Sequence, residues 1–156
     1  MGREIRRVPA NWQHPKDSEG SYHPLHDQSF EEAAAEWKQG FKDWEAGIPR
    51  PYQSADAFEK FEYWEYAGDP PVRAHFRPCW SADEATHYQM YETTTEGTPV
   101  TPVFATTEEL VEYLVKYGED GDGRPWARAN AERFVTRMWA PSMVIGPDGI
   151  KEPKDL

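Results

Sequence analysis

Cysteine is nearly absent from this chain of 156 residues, and long apolar runs are missing altogether. The single cysteine, Cys79, excludes an internal disulfide and leaves no second thiol for redox chemistry. No run of about 18 apolar residues is available to cross a membrane, and residues 1–7 lack the apolar segment of a secretory signal peptide. We therefore expect a protein that stays in the cytoplasm of the cell that makes it.

Recognisable catalytic motifs are missing too. The sequence has no glycine-rich phosphate loop, no Ser-His-Asp order, no paired cysteine ligands and no His-Glu metal motif. The acidic loop at 119–123 has the composition of half a calcium loop, but it lacks the glutamate at the twelfth position. We expect no cofactor, and these absences favour a binding protein over an enzyme.

Hydrophobic residues make up only 38% of the chain, but seven Trp, eight Tyr and seven Phe compensate for this deficit. Each aromatic side chain can bury about 150–250 Å², so the core is expected to be aromatic. The length suits one ordinary domain that buries roughly two-thirds of its unfolded surface. We expect an N-terminal arm at 1–28, a single domain at 29–150 and a tail at 151–156.

The net charge of −11 is concentrated in the middle of the chain. Residues 29–124 hold 20 acids and 8 bases, a balance of −12, whereas the segments on either side are close to neutral. Such a surface disfavours nucleic-acid phosphates and favours basic protein partners, with an attraction that salt weakens. A surface that is merely solvated is the more ordinary interpretation of this charge, and a surface that binds a basic partner is the functional one.

Hydrophobic periodicity and capping signals predict an α+β fold, with a small antiparallel β-sheet packed against three to four amphipathic helices. Capping boxes at Ser29–Glu32 and Thr106–Glu109 open two helices, and a third follows Pro125. The predicted helices are 30–46, 107–117 and 126–139. The predicted sheet pairs 73–78 with 86–93 as a hairpin, and a second hairpin follows at 142–151. Residues 55–66 are expected to begin as helix, with a switch to strand left open.

The apolar faces of these helices supply the expected core residues. A core-facing surface is the main interpretation of the aromatic stripe on 30–46, and a partner-binding groove is the alternative. The expected core residues are Trp37, Phe41, Leu110, Leu114 and Phe134.

Three sets of residues are candidates for function. Carboxylates at the start of the 107–117 helix and in the following loop are candidates for binding a basic partner. They are Glu108, Glu109, Glu112, Glu119, Asp120 and Asp122. His75, His87 and Tyr91 are weak catalytic candidates, because pairing of the two predicted strands would bring them close together. His14, His23 and His26 are weak metal candidates, although their spacing matches no closed site.

Five segments spread over most of the chain are distinctive as a set. They are Gly2–Pro9, Asn11–Pro15, Gly68–Pro71, Thr86–Leu110 and Trp139–Met143. Together they resemble small proteins encoded by bacteriophages and prophages. The resemblance implies a bacterial cytoplasm during infection or lysogeny. Small acidic phage proteins often act as inhibitors of host defence or as regulators of host enzymes.

Three hypotheses follow. The first is a protein-binding module that blocks a host defence or nucleic-acid-processing complex, in the manner of an anti-CRISPR or anti-restriction protein. It would bind a basic host protein or complex, without direct contact with nucleic acid or membrane. The second is a small enzyme acting on a nucleotide or metabolite. The third is a minor component of virion assembly.

Overall fold

The computed structural model describes residues 2–51, 53–54, 56–93, 97–119, 124–147 and 149–155. Its elements confirm an α+β fold with a small antiparallel sheet. The strands are β1 (Arg3–Val8), β2 (His87–Glu92), β3 (Trp139–Ala140), β4 (Val144–Gly146) and β5 (Gly149–Lys151). The helices are α1 (Phe30–Glu45), α2 (Ala57–Lys60), α3 (Tyr63–Ala67), α4 (Thr107–Tyr117) and α5 (Arg128–Arg137), with short 3₁₀ turns at Arg73–His75 and Pro153–Asp155.

Two compact units divide the chain. One combines the residues up to Leu25 with those from Cys79 onward, and the other is His26–Pro78. These boundaries differ from the expected arm and single domain. The physical reason is β1, which is not an appended arm but the central strand of the three-stranded sheet.

The sheet of the larger unit has the order β2-β1-β3, and both pairings are antiparallel. Ile5 faces Met90 in the β1–β2 register, and Arg3 lies opposite both Glu92 and Ala140. The second long edge of β2 carries bridges to Phe104 and Pro99. The backbone groups of β2 therefore find partners on both sides, which satisfies the hydrogen-bonding demand of a buried strand.

The strand at 86–93 is confirmed, but its predicted partner is wrong. Residues Arg73–His75 form a 3₁₀ turn, and Phe76 makes only one isolated parallel bridge, to His26. Prolines at 70, 71 and 78 remove backbone donors on either side of this segment, so alternation of side chains does not lead to a ladder. β1 takes the position beside β2 that the hairpin model gave to 73–78.

Helices α1 and α4 begin at the predicted capping boxes. In α1 the Ser29 side chain accepts from the Glu32 amide, and in α4 Thr106 accepts from the Glu109 amide. The third helix is shorter than predicted, because Met138 adopts a left-handed conformation (φ 62°) that ends α5 ahead of β3. At its other end Trp126 lies before the helix, although its side chain is buried.

The core of the larger unit lies between the sheet and α4 and α5. Leu110, Leu114 and Phe134 are buried there, as predicted. The other members of this cluster come from the strands, the loops and the same two helices. They are Ile5, Met90, Val100, Val111, Trp126, Ala131 and Ala140.

The smaller unit is organised around Tyr63, which is fully buried. The rings of Trp37, Phe41 and Trp44 lie with centroids 5.0, 5.7 and 5.8 Å from the Tyr63 ring. Trp37 and Phe41 are themselves only half-buried, so they pack against this core rather than form its centre. The region 55–66 forms the short helices α2 and α3 in its described part, and no strand is present among those described residues.

The hairpin predicted at 142–151 is present as β4 paired with β5, with Ile145 opposite Ile150. In the part of the chain that the structure describes, no helix combines the length and apolar character needed to cross a membrane.

Candidate functional site

The alternation of β2 brings Gln89 and Tyr91 to one face of the strand. Both side chains are buried polar groups, and such groups normally require hydrogen-bond partners. The Tyr91 hydroxyl donates to Gln89 Oε1 at 2.9 Å and accepts from the indole Nε1–H of Trp12 at 2.9 Å. The Gln89 amide nitrogen in turn donates to the carbonyl oxygen of Thr101 at 2.8 Å. These bonds fix the orientation of the Gln89 amide, because its nitrogen faces an acceptor, the Thr101 carbonyl, and its oxygen faces a donor, the Tyr91 hydroxyl.

His14 is buried next to this network. Its Nε2 lies 2.8 Å from the carbonyl oxygen of His23, and since a carbonyl only accepts, Nε2 carries the hydrogen. In the neutral ring Nδ1 is then an acceptor, and it lies 3.4 Å from the Tyr91 hydroxyl. Burial lowers the pKa of His14, and the positive charge of Arg6 contributes in the same direction. His14 is therefore a neutral acceptor at pH 7.

Arg6 contacts the ring of Tyr91, whereas Trp12 and Gln89 contact its hydroxyl group. Its guanidinium carbon lies 4.4 Å from the centroid of the Tyr91 ring, a cation–π contact, and its Nε donates to Glu4. Gly97 has φ +83°, and a side chain there would collide with this guanidinium. The glycine is thus required both by the backbone conformation and by the close approach of Arg6.

A cleft of about 850 Å³ opens above His14 and Gln89, a volume typical of small-molecule sites. Tyr91 is buried beneath it. The residues that line it are Trp12, Gln13, His14, Pro15, Lys16, Tyr22, Gln89, Thr101, Pro102, Val103 and Tyr113. Among the described residues that line it there is no Asp or Glu, although the whole chain has 28 acids against 17 bases. The described wall of the cleft therefore lacks the negative charge that dominates the sequence.

The catalytic candidates are only partly brought together. Tyr91 joins the network under the cleft, whereas His87 lies further along the strand, with Nδ1 2.9 Å from the Thr86 hydroxyl, and is not among the lining residues. His75 lies in the 3₁₀ turn of the smaller unit. The expected His75–His87 neighbour pair across a ladder is therefore wrong, because 73–78 is not a strand.

The metal candidates do not form a set of ligands in the described structure. His14 uses Nε2 on a backbone carbonyl, and His26 belongs to the smaller unit, where its ring packs 4.9 Å from that of Phe76. Among the residues that the structure describes, no group of three or more His, Cys, Asp or Glu is placed to hold a metal ion.

Three of the four described carboxylates that were predicted to bind a partner have structural roles. Glu109 completes the capping box of α4, and Glu112 forms a two-pronged ion pair with Arg128 at 2.7 and 2.9 Å, which lowers the pKa of Glu112. Glu119 pairs with the buried Arg3. Glu108 is exposed at the first turn of the helix. Asp120 and Asp122 lie outside the described residues.

A second exposed feature lies in the smaller unit at residues 56–66, here named the acidic aromatic segment. Phe61 and Trp64 are 47% and 48% exposed, unusually open for large aromatic side chains. The segment carries four acids and one base, and Glu59, Glu62 and Glu65 are exposed. Glu62 and Glu65 also form the capping box of α3, in which the Glu62 amide donates to the Glu65 carboxylate. Exposed aromatic and acidic side chains therefore occur together within one short segment.

Sequence reasoning missed Trp12, Gln89 and Thr101 as functional residues. The only available signals were the aromatic character of Trp12 in an apparently irregular segment and the shared face of Gln89 and Tyr91 on β2. Comparison of the chain with protein-family models, with curated proteins and with solved structures finds no match.

Proposed function

We propose that this chain is an acidic protein-binding module encoded by a phage or prophage, which acts in the cytoplasm of the bacterial host. Its partner is a basic protein or complex of host defence or nucleic-acid processing. Two features of the sequence support the proposal: the net charge of −11 and the resemblance to small phage proteins. An acidic surface attracts a basic partner and repels the nucleic acid that such a partner normally binds.

The observation that carries the proposal is the half-exposure of Phe61 and Trp64 among carboxylates. Exposed Trp and Phe side chains are costly in water and are typical anchors of protein interfaces. Arginine and lysine of a basic partner can pair with the exposed Glu59 and can stack on the indole of Trp64. The negative charge and the exposed aromatic rings of the acidic aromatic segment therefore suit a basic groove.

This proposal moves the expected binding surface away from α4. Glu109, Glu112 and Glu119 are already engaged by the helix cap, by Arg128 and by Arg3. Removing Glu109 from the cap or Glu119 from Arg3 would cost stability. The exposed Glu59, in the same segment as the open rings of Phe61 and Trp64, is better placed to bind another protein.

A small enzyme is the second candidate, and the neutral His14 beneath the cleft favours it. His14 lines the cleft, and a neutral imidazole is the form that can accept a proton as a general base. Turnover of a nucleotide or metabolite that is lost in a His14→Gln variant, while the fold is retained, would support this candidate.

Affinity capture from a bacterial host lysate, followed by binding measurements with the purified captured protein, tests the proposed function. Trp64→Ala is expected to weaken binding at least tenfold, which is the usual effect of truncating an interface anchor. Trp139→Ala is the matched control, because Trp139 is an equally open tryptophan in the larger unit. It should leave binding unchanged.

Charge reversal tests the electrostatic part. Glu59→Lys should slow association, and added salt should slow association of the unmodified protein. Glu108→Lys reverses an exposed charge on α4 and serves as the comparison. Loss of binding in Glu108→Lys but not in Glu59→Lys would return the surface to α4, and equal binding by all these variants would refute the acidic-surface mechanism.

A further inference from the structure

The cleft above Gln89 has a chemistry different from that of the acidic aromatic segment, and partner binding does not use it. Three of its lining side chains, Trp12, Tyr22 and Tyr113, are aromatic. The rings of Trp12 and Tyr22 both meet the His14 ring edge to face, with centroids 6.0 and 5.6 Å away. These contacts fix the Trp12 and Tyr22 rings against the buried His14, so their orientation does not depend on a bound ligand.

Gln89 supplies the polar feature of the cleft. A side-chain amide has two N–H hydrogens and two oxygen lone pairs. One hydrogen is used on the Thr101 carbonyl, and one lone pair is used by the Tyr91 hydroxyl. The second hydrogen and the second lone pair are used by neither of these bonds, and Gln89 lines the cleft. A side-chain amide of this kind can donate to and accept from the edge of a nucleobase.

Lys16 influences which ligand charge the cleft can bind. Its ammonium lies 4.6 Å from the centroid of the Tyr22 ring, at the same wall. Among the lining residues that the structure describes, Lys16 is the only charged side chain near neutral pH, since burial lowers the pKa of His14. One cation and no carboxylate suit a neutral ligand or one carrying a single phosphate, and they disfavour a cationic one.

From these observations we propose that the cleft binds a nucleobase-bearing small molecule, a nucleoside or its 5′-monophosphate. The base stacks on Trp12 or Tyr22, its edge pairs with the Gln89 amide, and a phosphate, where present, lies near Lys16. Stacking on aromatic side chains tolerates different bases, so the Gln89 edge decides which base is preferred.

The direct test is titration of the purified full-length chain with each of the four ribonucleosides and their 5′-monophosphates. Saturation-transfer NMR detects binding, and calorimetry measures the dissociation constant. At least one of these probes is expected to bind with a dissociation constant below about 1 mM, as ordinary ligand efficiencies predict for molecules of this size. Absence of binding by all eight probes at millimolar concentration would overturn the proposal.

Matched tyrosine variants locate the site. Tyr22 and Tyr66 are both 39% exposed, but only Tyr22 lines the cleft, and Tyr66 lies in the smaller unit. Tyr22→Ala should weaken binding about tenfold, which is typical of a lost stacking platform, while Tyr66→Ala should not change it. Equal affinity of the two variants would contradict binding in this cleft.

Lysine variants separate the base from the phosphate. Lys16→Gln should weaken the monophosphate severalfold and leave the nucleoside unaffected, whereas Lys38→Gln removes an exposed charge of the smaller unit and should affect neither. An equal effect of both lysine variants on the monophosphate would place the phosphate away from Lys16 and contradict the proposed arrangement. Because Trp64 is not part of the cleft, loss of partner binding in Trp64→Ala leaves these titrations unchanged, and the two proposals can fail independently.

Discussion

A side chain on Gly40 would occupy the space that holds the hydroxyl group of Tyr63. Gly40 lies within α1, and the guanidinium of Arg50 approaches the same point and donates to the Tyr63 hydroxyl at 2.9 Å. Glycine usually destabilises a helix interior relative to alanine. Here its missing Cβ allows the central tyrosine of the smaller unit to reach its partner.

Gly40→Ala is therefore expected to destabilise the protein by about 1–3 kcal/mol, although alanine is the better helix former, because overpacking outweighs the gain of about 1 kcal/mol in propensity. Thermal or urea unfolding measures the effect. Gln39→Ala, at the neighbouring exposed position, is the control and should be nearly neutral. A more stable Gly40→Ala protein would show that Tyr63 and Arg50 move aside at little cost.

Tyr91→Phe removes the hydroxyl group that links Trp12 to Gln89. We expect a loss of about 1–3 kcal/mol in the free energy of unfolding, because the buried Gln89 oxygen loses its donor. Tyr117→Phe is a suitable control, since that tyrosine is exposed on α4. Unfolding in urea, followed by tryptophan fluorescence, measures both variants. Equal stability of Tyr91→Phe and the unmodified protein would mean that water replaces the hydroxyl without cost.

His14 predicts a pH dependence of stability with a definite sign. Burial lowers the pKa of the folded-state ring below the usual value of 6.5, and the charge of Arg6 adds to the effect. Well above pH 6.5 the ring is neutral in both states and contributes no dependence. As the pH falls from 6.5 towards the folded-state pKa, the unfolded chain binds a proton that the folded chain does not, so stability falls.

The slope due to His14 is at most about 1.4 kcal/mol per pH unit. A His14→Gln variant, whose amide can also donate to the His23 carbonyl, should lose less stability between pH 7 and pH 5. Urea unfolding at a series of pH values gives the comparison. Parallel pH profiles of the two proteins would contradict a buried neutral His14.

Two glutamates with arginine partners are expected to respond differently to the same change. Arg3 and Glu119 form a largely buried pair, whereas Arg128 and Glu112 are exposed. Glu119→Gln should cost about 1–3 kcal/mol, because a buried guanidinium loses its counter-charge. Glu112→Gln should leave the thermal midpoint nearly unchanged, because solvent and salt screen an exposed pair. Equal effects would show that burial does not distinguish the two pairs.

Local signals in the sequence were sufficient for α1, α4 and β2. The capping boxes at Ser29 and Thr106 act within one helical turn. Along β2, the alternation of side-chain types shows which residues share a face of the strand. Strand pairing is not local, and for this reason the partner of β2 was predicted incorrectly. β1 was assigned to an arm because residues 1–28 contain three prolines and no hydrophobic period continues beyond Val8. Its residues Arg3 and Arg6 are buried with the help of contacts distant in sequence, to Glu119 and Tyr91.

The same distinction explains the candidate site. Tyr91 and His14 each attracted notice from the sequence, one as a weak catalytic residue and the other as a weak metal ligand. Nothing in the sequence placed them together, since 77 positions separate them. The absence of acids from the cleft likewise emerges only when segments around positions 12–22, 89, 101 and 113 converge.

The central position of β1 also sets an order of events during synthesis. β1 leaves the ribosome about 80 residues before β2, and translation at about 5–20 residues per second makes this delay roughly 4–16 s. During that time the nascent chain has β1 but neither of its partners, and His26–Pro78 with its own aromatic cluster is completed only shortly before β2 appears. The newborn protein therefore carries an exposed, unpaired strand for seconds, and this is the interval in which chaperones or proteases of the cell have access to it.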